Sequence, residues 1–385
     1  MRVLELLSAA GVICSLAYYV AASLAARSFA RRARAQAPAL PKLPPRVAIL
    51  KPLHGLTQSL VENVISYLEL SYPRLDYFFS VEGYDDAAAQ VPAALRARYQ
   101  FANLTLVVGE EPDCANRKIA KVIRMAERAD KAEVFVLSDA DVSVERDHLI
   151  RVIGELIADE KIGIVTCAYR ARPLGPLGSR LEALFVNTDF APQVMLSAAI
   201  EPMRHALGAT IAVRRATLDA IGGFRALKDL LADDFYLGRM AAERGWKVRL
   251  SDSLVTVACE ERSVAEFWNH QLRWARTYRT VRPVSLATIA IHGPSWALML
   301  IISSAISPLS LVVLGIVLAA RCAMAAFLLV RVLKLPEFVR DVWLVPIKDL
   351  LMTGIWFASL AGNSVMWAGR RYRIMRGGAM RELAG

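Results

Sequence analysis

Asp139 and Asp141 stand one residue apart at the end of an apolar run, VFVLSDADV, from Val134 to Val142. Four consecutive apolar residues predict a strand buried on both faces, as in a parallel sheet covered by helices, with the two carboxylates at its carboxyl end. Open α/β sheets bind ligands at that end. Paired carboxylates there can hold Mg2+ or Mn2+ through oxygen ligands, and a cation so placed neutralises a diphosphate. A lone Asp-x-Asp more often closes an ordinary turn. The chemical reading therefore depends on what the rest of the chain brings to the same edge.

Several stretches qualify. KPLHG (Lys51 to Gly55) and EGYDD (Glu82 to Asp86) each follow an apolar run, so they bring a flexible turn and further carboxylates, Asp85 and Asp86 among them, to strand ends. Asn116, Arg117 and Lys118 open a helix where cations can meet a phosphate; a solvated basic face accounts for them equally well. Asp233 and Asp234 begin LADDFYLGRMAAERGW as the helix starts. Capping and the helix dipole favour acidic residues there on their own, and a carboxylate so held can also take a proton from a substrate hydroxyl. SVAEFWNHQLRWARTYRTVR (Ser263 to Arg282) interleaves Phe267, Trp268, Trp274 and Tyr278 with Arg273, Arg276, Arg279 and Arg282, a mixture suited to a lipid headgroup layer. His270 has no second His or Cys at metal-ligand spacing.

The elements that must position these residues alternate. RVAIL from Arg46, a helical stretch from about Gln58, DYFFSV (Asp76 to Val81), LTLVV (Leu104 to Val108) and the Asp-x-Asp strand follow one another. Such alternation predicts an α/β domain with a mostly parallel central sheet and right-handed crossovers, so that the strand ends face one crevice. IGIVTC (Ile162 to Cys167) and ALGATIAVRR (Ala206 to Arg215) continue the strand style. Between them, GSRLEALFVNTDFAPQVMLSAAI is apolar but broken by Arg180, Glu182 and Asp189, and Pro192 is expected to interrupt a helix there. A membrane interface, a lipid entrance and core packing all fit that stretch.

The bulk numbers point to a membrane. The 385 residues are 55% apolar with a net charge of +11, and a mean hydropathy of +0.36 exceeds what a soluble core requires. Leu6 to Ala26 is long enough to span, and Arg27, Arg31, Arg32 and Arg34 follow it, the pattern of a retained anchor with its amino terminus outside and the following domain cytoplasmic. The implied division is an anchor at 1–34, a Pro- and Ala-rich linker at 35–45, the α/β domain at 46–262, an amphipathic segment at 263–286, apolar segments across 287–368 and a basic tail at 369–385. Three spans after residue 287 would put the arginines after Gly369 on the wrong side for the positive-inside tendency. The last segment, which carries Lys348 and Asp349, is therefore expected to be re-entrant or interfacial. Basic clusters beside apolar segments argue for a membrane surface and against nucleic acid, for which no binding module is present. Cys14, Cys114, Cys167, Cys259 and Cys322 are scattered, which suggests neither disulfides nor zinc.

Taken in order, Asp85/Asp86, Asp139/Asp141, Asp233/Asp234 and the HQLRW of His270 to Trp274 resemble the glycosyltransferase family 2 superfamily in its membrane-bound, lipid-glycosylating branch. LKPLHG, NRKI and RRYRIMRGG strengthen the likeness, which runs from about Arg46 to Gly378. Within that branch the chain is similar to ceramide glucosyltransferases of family 21 and to bacterial hopanoid-biosynthesis-associated glycosyltransferases. The resemblance implies a GT-A-type nucleotide-sugar domain and a UDP-sugar donor at Pro52, Asp85, Asp86, Lys118 and Asp139. It implies a divalent cation at Asp139 and Asp141, Asp234 as general base, and Arg273 and Trp274 at the diphosphate and the acceptor. His270 departs from the family's Gln or Arg at the first position of its Gln/Arg-x-x-Arg-Trp motif. The implied reaction is inverting transfer of N-acetylglucosamine or glucose to a membrane lipid, a hopanoid polyol such as bacteriohopanetetrol, at a bacterial inner membrane, with ceramide or another lipid as the alternative acceptor. A non-catalytic membrane scaffold is the alternative of another class, and the intact Asp139, Asp141, Asp234, Arg273 and Trp274 speak against it.

Overall fold

Eight strands form one mixed sheet in the computed structural model, which describes residues 2–35, 38–109, 113–367 and 369–383, with Arg376 described in its backbone alone. They are β1 (Val47–Pro52), β2 (Leu75–Val81), β3 (Asn103–Val108), β4 (Val134–Ser138), β5 (Val142–Ser143), β6 (Ile162–Pro173), β7 (Thr210–Arg214) and β8 (Lys247–Cys259). Their spatial order is β3-β2-β1-β4-β7-β6-β8-β5. The first four pair in parallel, as the alternating pattern predicts. Every residue of β1 and β4 is buried, and successive side chains feed two cores: Ile49 and Val136 join one, Leu50, Phe135 and Leu137 the other.

The sheet then departs from the parallel scheme in a way that matters for the site. β7 runs antiparallel between β4 and β6, so Thr210, at its amino end, pairs with Ser138 at the carboxyl end of β4. The loop entering β7 is thereby delivered to the Asp-x-Asp edge. β8, parallel to β6, escapes sequence reading because its thirteen residues are unevenly buried and show no clean two-residue period.

Residues 177–200 form one continuous helix, contrary to the expectation that Pro192 would break it. A π turn at Val186–Phe190 precedes the proline. Pro192 has no N–H to give to the carbonyl four residues back, which is that of Thr188, and the wider turn accommodates this loss. That carbonyl accepts instead from Arg321 at 3.1 Å.

The amino-terminal helix, Arg2–Ala33, packs along Gly293–Ser303 and Pro308–Phe327. Glycines allow the approach: a Cβ on Gly11 would lie 2.2 Å from the Trp296 ring, and one on Gly293 would lie 3.1 Å from Val317. Outward from this layer point Leu6, Leu7, Ile13, Ile302, Ile306, Leu309, Val312 and Ile316, all exposed. Among the described residues four helices are long and apolar enough to cross a membrane, and Pro283–Ile291 with Gly293–Ser303, bent by 61°, has the length and composition of either a broken fifth span or a re-entrant loop.

The segment Pro336–Leu360 is tied at its start to the α/β domain and just past its end to the helix Val264–Val281. Arg172 lies 3.5 Å from Glu337, Arg180 pairs with Asp341, and Arg276 and Arg279 donate to the carbonyls of Ala361 and Gly362 at 2.9 and 2.6 Å. Those two arginines thus serve carbonyls just past a helix end, which would otherwise lack donors. Lys348 and Asp349 are buried with Asp189 and Arg321 in one ion cluster. Arg321 reaches Asp189 and Asp349 at 2.8 Å each, and Lys348 contacts both carboxylates.

After it, Ser364–Trp367, expected to close the last apolar segment, forms β9, and the residues expected to form a basic tail fold as β10 (Arg370–Ile374) and β11 (Met380–Glu382), completing an antiparallel sheet. It docks on the α/β domain: Leu231 N–H donates to Gly378 O at 3.1 Å and Met380 N–H to Asp229 O at 2.8 Å, over a small core of Leu231, Val365, Tyr372, Ile374 and Met380.

Candidate active site

The Asp-x-Asp loop is held from beneath by a lysine. Lys51, fully buried at the end of β1, donates to the carbonyls of Asp139 and Val142 at 2.6 and 3.0 Å and lies 4.3 Å from the centre of the Tyr67 ring. Burial pushes its pKa down to about 7 against the pull of Asp141 and Asp139. Asp141 is pushed up to about 6, by burial first and then by the like charge of Asp139, with Lys51 opposing.

Lys118 organises the other side. Asn116 caps its helix, accepting from Ile119 N–H at 3.1 Å, and donates to Leu230 O at 2.7 Å. Lys118 then lies 2.8 Å from Asp139 Oδ1 and 3.3 Å from Asp233 Oδ2. Burial works against its charge, but Asp139 and Asp233 outweigh that and hold the ammonium well above the usual lysine range. Asp233 is thereby committed to Lys118, and Asp234 is left for other work.

Asp234, in the first turn of Asp233–Glu243, uses Oδ1 to accept from Phe235 N–H at 2.8 Å. Oδ2 faces Gly208, in the loop that β7 brings to this edge. A Cβ on Gly208 would lie 3.1 Å from Asp234 Oδ2 and 3.7 Å from Asp139 Oδ2. The missing side chain therefore keeps a gap open between two carboxylates whose sequence positions are 95 apart. Asp234 is pushed up to about 6, by burial first and by Asp233 next, with Lys118 opposing.

A cavity of about 410 Å3 opens beside Asp139, lined by Pro52, Leu53, His54, Glu82, Arg117, Lys118, Lys121, Ala140, Trp367 and Arg370. Pro52, Lys118 and Asp139, three of the residues that the resemblance puts at the donor, thus line one space. Asp86 stands behind the rim: its Oδ1 accepts from Gly55 N–H and Ala88 N–H, both at 2.9 Å, and so ties the KPLHG loop to the next strand end. Asp85 is exposed and does not line the cavity. Trp367 and Arg370 were not legible as site residues, because nothing local in the sequence signals that β9 and β10 fold back here.

Across the crevice, Trp274 belongs to an aromatic wall. Its ring centre lies 6.1 Å from Phe185, 5.8 Å from Phe190 and 6.0 Å from Tyr278, and Phe190 stacks on Tyr169 at 4.6 Å. The Arg273 guanidinium has no hydrogen-bond or ion-pair partner among the described residues, while its carbonyl accepts from Thr277 Oγ1 at 2.8 Å. Burial and then the neighbouring Arg262 push its pKa down to about 10, with Glu182 opposing; Arg262 itself lies 3.7 Å from Glu182. His270 is bonded to Glu182 at 2.9 Å, which also accepts from Gln271 at 2.8 Å, so it braces the helix.

Among the described residues no group of three His, Cys, Asp or Glu side chains gathers as a metal cage. A cation on Asp139 and Asp141 would have to complete its shell with substrate phosphate and water, as Mg2+ commonly does with one or two carboxylates.

Residues 7–380 match the description Glycosyl transferase family 21. The chain belongs to that family. It is 24% identical over 232 residues to ceramide glucosyltransferase 3 of Caenorhabditis elegans, covering 60% of this chain and 50% of the relative. It is 21% identical over 239 residues to ceramide glucosyltransferase 1 of the same organism, covering 62% and 51%. The chain thus spans about half the length of these curated relatives. A mannosyltransferase from Pyrobaculum calidifontis, solved with GDP-mannose and Mn2+, superposes with a TM-score of 0.51 at 19% identity over 92% of this chain and 99% of its own. That likeness establishes a glycosyltransferase fold for this family 21 member, whose helices at both ends are compatible with a membrane.

Proposed function

We propose that this family 21 protein is a membrane-bound inverting glycosyltransferase that moves a hexose, N-acetylglucosamine or glucose, from a UDP-sugar to a hydroxyl of a membrane lipid. The observation that carries this reading is the open gap at Gly208, which the carboxylates of Asp139 and Asp234 flank. The donor's diphosphate would lie along Lys118 and Asp139, with the acceptor hydroxyl at Asp234. As the hydroxyl oxygen bonds to the anomeric carbon, the bond from that carbon to the diphosphate breaks, its electron pair leaves with UDP, and the proton passes to Asp234. Arg273, whose guanidinium has no hydrogen-bond or ion-pair partner among the described residues, would balance charge on the departing UDP. A divalent cation at Asp139 and Asp141 supplies further charge neutralisation when bound.

The aromatic wall of Tyr169, Phe185, Phe190, Trp274 and Tyr278 supports an apolar acceptor entering from the membrane side. We favour a hopanoid polyol, as the sequence motifs suggest; ceramide is the second reading, favoured by the names of the curated relatives. The test is UDP release by the full chain in lipid, with a panel of UDP-sugars, Mg2+ or Mn2+, and either a hopanoid polyol or ceramide. Release that requires one donor and one lipid is expected. Donor binding without lipid-dependent release from either acceptor would reject this reading.

We further infer that Pro336–Leu360, tied at its start to the α/β domain and just past its end to the helix Val264–Val281, stays on the catalytic side, so that the carboxyl-terminal sheet shares the domain's compartment; the arginines that follow the first apolar segment support a cytoplasmic face. A cysteine at Met375, which is exposed, should react with an impermeant maleimide only from the side that holds the α/β domain. Labelling from the opposite side would reject the arrangement.

A further inference from the structure

We propose that the carboxyl-terminal sheet closes the donor cavity, and that the Trp367 ring and the Arg370 guanidinium bind the nucleoside diphosphate. The inference rests on the donor reading of the cavity and goes beyond it, since the chemistry described above uses neither residue. Both line the same 410 Å3 space as Pro52, Lys118 and Asp139. They are partners across the β9–β10 hairpin, Trp367 opposite Arg370.

Three features argue for a built wall. First, the sheet has its own core, in which Val365 is buried while Trp367 packs only at the edge and is half-buried; two-residue alternation sets both on one face, with Met366 on the other. Second, the sheet and the Lys118 helix hang from one segment. Asn116 N–H donates to Lys228 O at 2.8 Å, Ala115 N–H to Asp229 Oδ1 at 3.1 Å, Met380 N–H to Asp229 O at 2.8 Å and Leu231 N–H to Gly378 O at 3.1 Å. The fit is close, since a Cβ on Gly378 would lie 2.5 Å from the Tyr236 ring. Third, the available chemistry suits the ligand. An indole face stacks on a nucleobase without regard to its edge groups, and a guanidinium fork matches a phosphate. Arg370 is held by Glu382 at 3.0 Å, with both side chains nearly half exposed, an exchangeable surface pair that an anionic ligand can displace at little cost.

The proposal puts chain segments more than 300 residues apart, Pro52 and Trp367, on one ligand. It also requires the sheet to occupy the donor's compartment. The test is UDP binding by calorimetry to the full chain in lipid, comparing wild type with Trp367→Ala, Arg370→Ala, Trp367→Phe and Met366→Ala, alongside the KM for donor and for lipid. Trp367→Ala and Arg370→Ala should each weaken UDP about tenfold and raise the donor KM while leaving the lipid KM unchanged. Trp367→Phe should recover most of the loss, Met366→Ala should match wild type, and the thermal midpoints should coincide. Wild-type binding with unchanged affinity in both alanine variants would overturn the proposal and leave the donor reading standing. Failure of wild type to bind UDP at all would overturn both.

Discussion

The crevice at Asp139 and the ion cluster at Arg321 both bury carboxylates beside cations, and they treat the charge in opposite ways. At Arg321 two cations meet two anions, and each bonds to at least one opposite charge, so the set is closed and neutral. In the crevice Asp141 and Asp234 are pushed up to about 6 and Lys51 down to about 7, while the Arg273 guanidinium has no hydrogen-bond or ion-pair partner among the described residues. Charge matched within the protein holds helices together. Charge left unmatched is available to a substrate, and its displaced pKa values are the trace of that incompleteness.

The largest way to break the comparison is at Asp234. Asp234→Asn keeps the shape and removes the base, so turnover should fall roughly 10^2- to 10^4-fold with UDP affinity retained, measured by product formation and calorimetry. Loss of UDP binding in parallel would show that the residue holds the donor. The ion cluster should respond in stability instead. Arg321→Met strands Asp189 and Asp349 beside Lys348 and should cost about 3–5 kcal/mol, seen as a lowered thermal midpoint in lipid. Arg321→Met with Asp349→Leu should recover part of it, because Lys348 keeps Asp189. Equal destabilisation in single and double variants would mean that the cluster is not a closed unit.

A pH series separates the two regions further. Asp234 must be ionised to accept a proton, and its pKa is raised to about 6, so turnover should fall towards one decade per unit below that value. The stability effect has the opposite sign. A raised carboxyl pKa means the folded chain binds the proton more tightly than the unfolded chain, so ionised Asp234 costs stability above about pH 6 and protonation relieves it. Asp234→Asn should therefore be more stable than wild type at pH 8, with the difference shrinking as pH drops through 6. A difference independent of pH would refute that assignment. Smallest of all, Lys51→Met leaves the carbonyls of Asp139 and Val142 without their donor, a loss of about 1–3 kcal/mol. UDP should bind about tenfold more weakly, and unchanged affinity would show that the loop needs no support from below.

The first four strands were legible because each is a short apolar run between turn signals, and burial on both faces leaves little alternative. Asp139 could be placed at a strand end because the apolar run before it fixes that place, whereas the local pattern around Lys118 suited a solvated basic face equally well and only the family resemblance pointed to it. Gly208 was not, since its role depends on β7 running against β4, and strand direction here is set by the lengths and packing of the helices between strands. The continuous helix through Pro192 was misread for a similar reason: the partner that satisfies Thr188 is Arg321, 133 residues away.

Sequence alone determined the alternating α/β pattern, the carboxylates at strand and helix ends, and the apolar lengths that call for a membrane. These are short-range properties: period, capping and hydropathy act over a few residues at a time. The tertiary structure decided which carboxylates share a gap, that Lys348 and Asp349 are neutralised, and that the final basic stretch returns to the cavity as a sheet. Each of those depends on contacts between segments far apart in the chain, whose geometry exists only once the chain has packed.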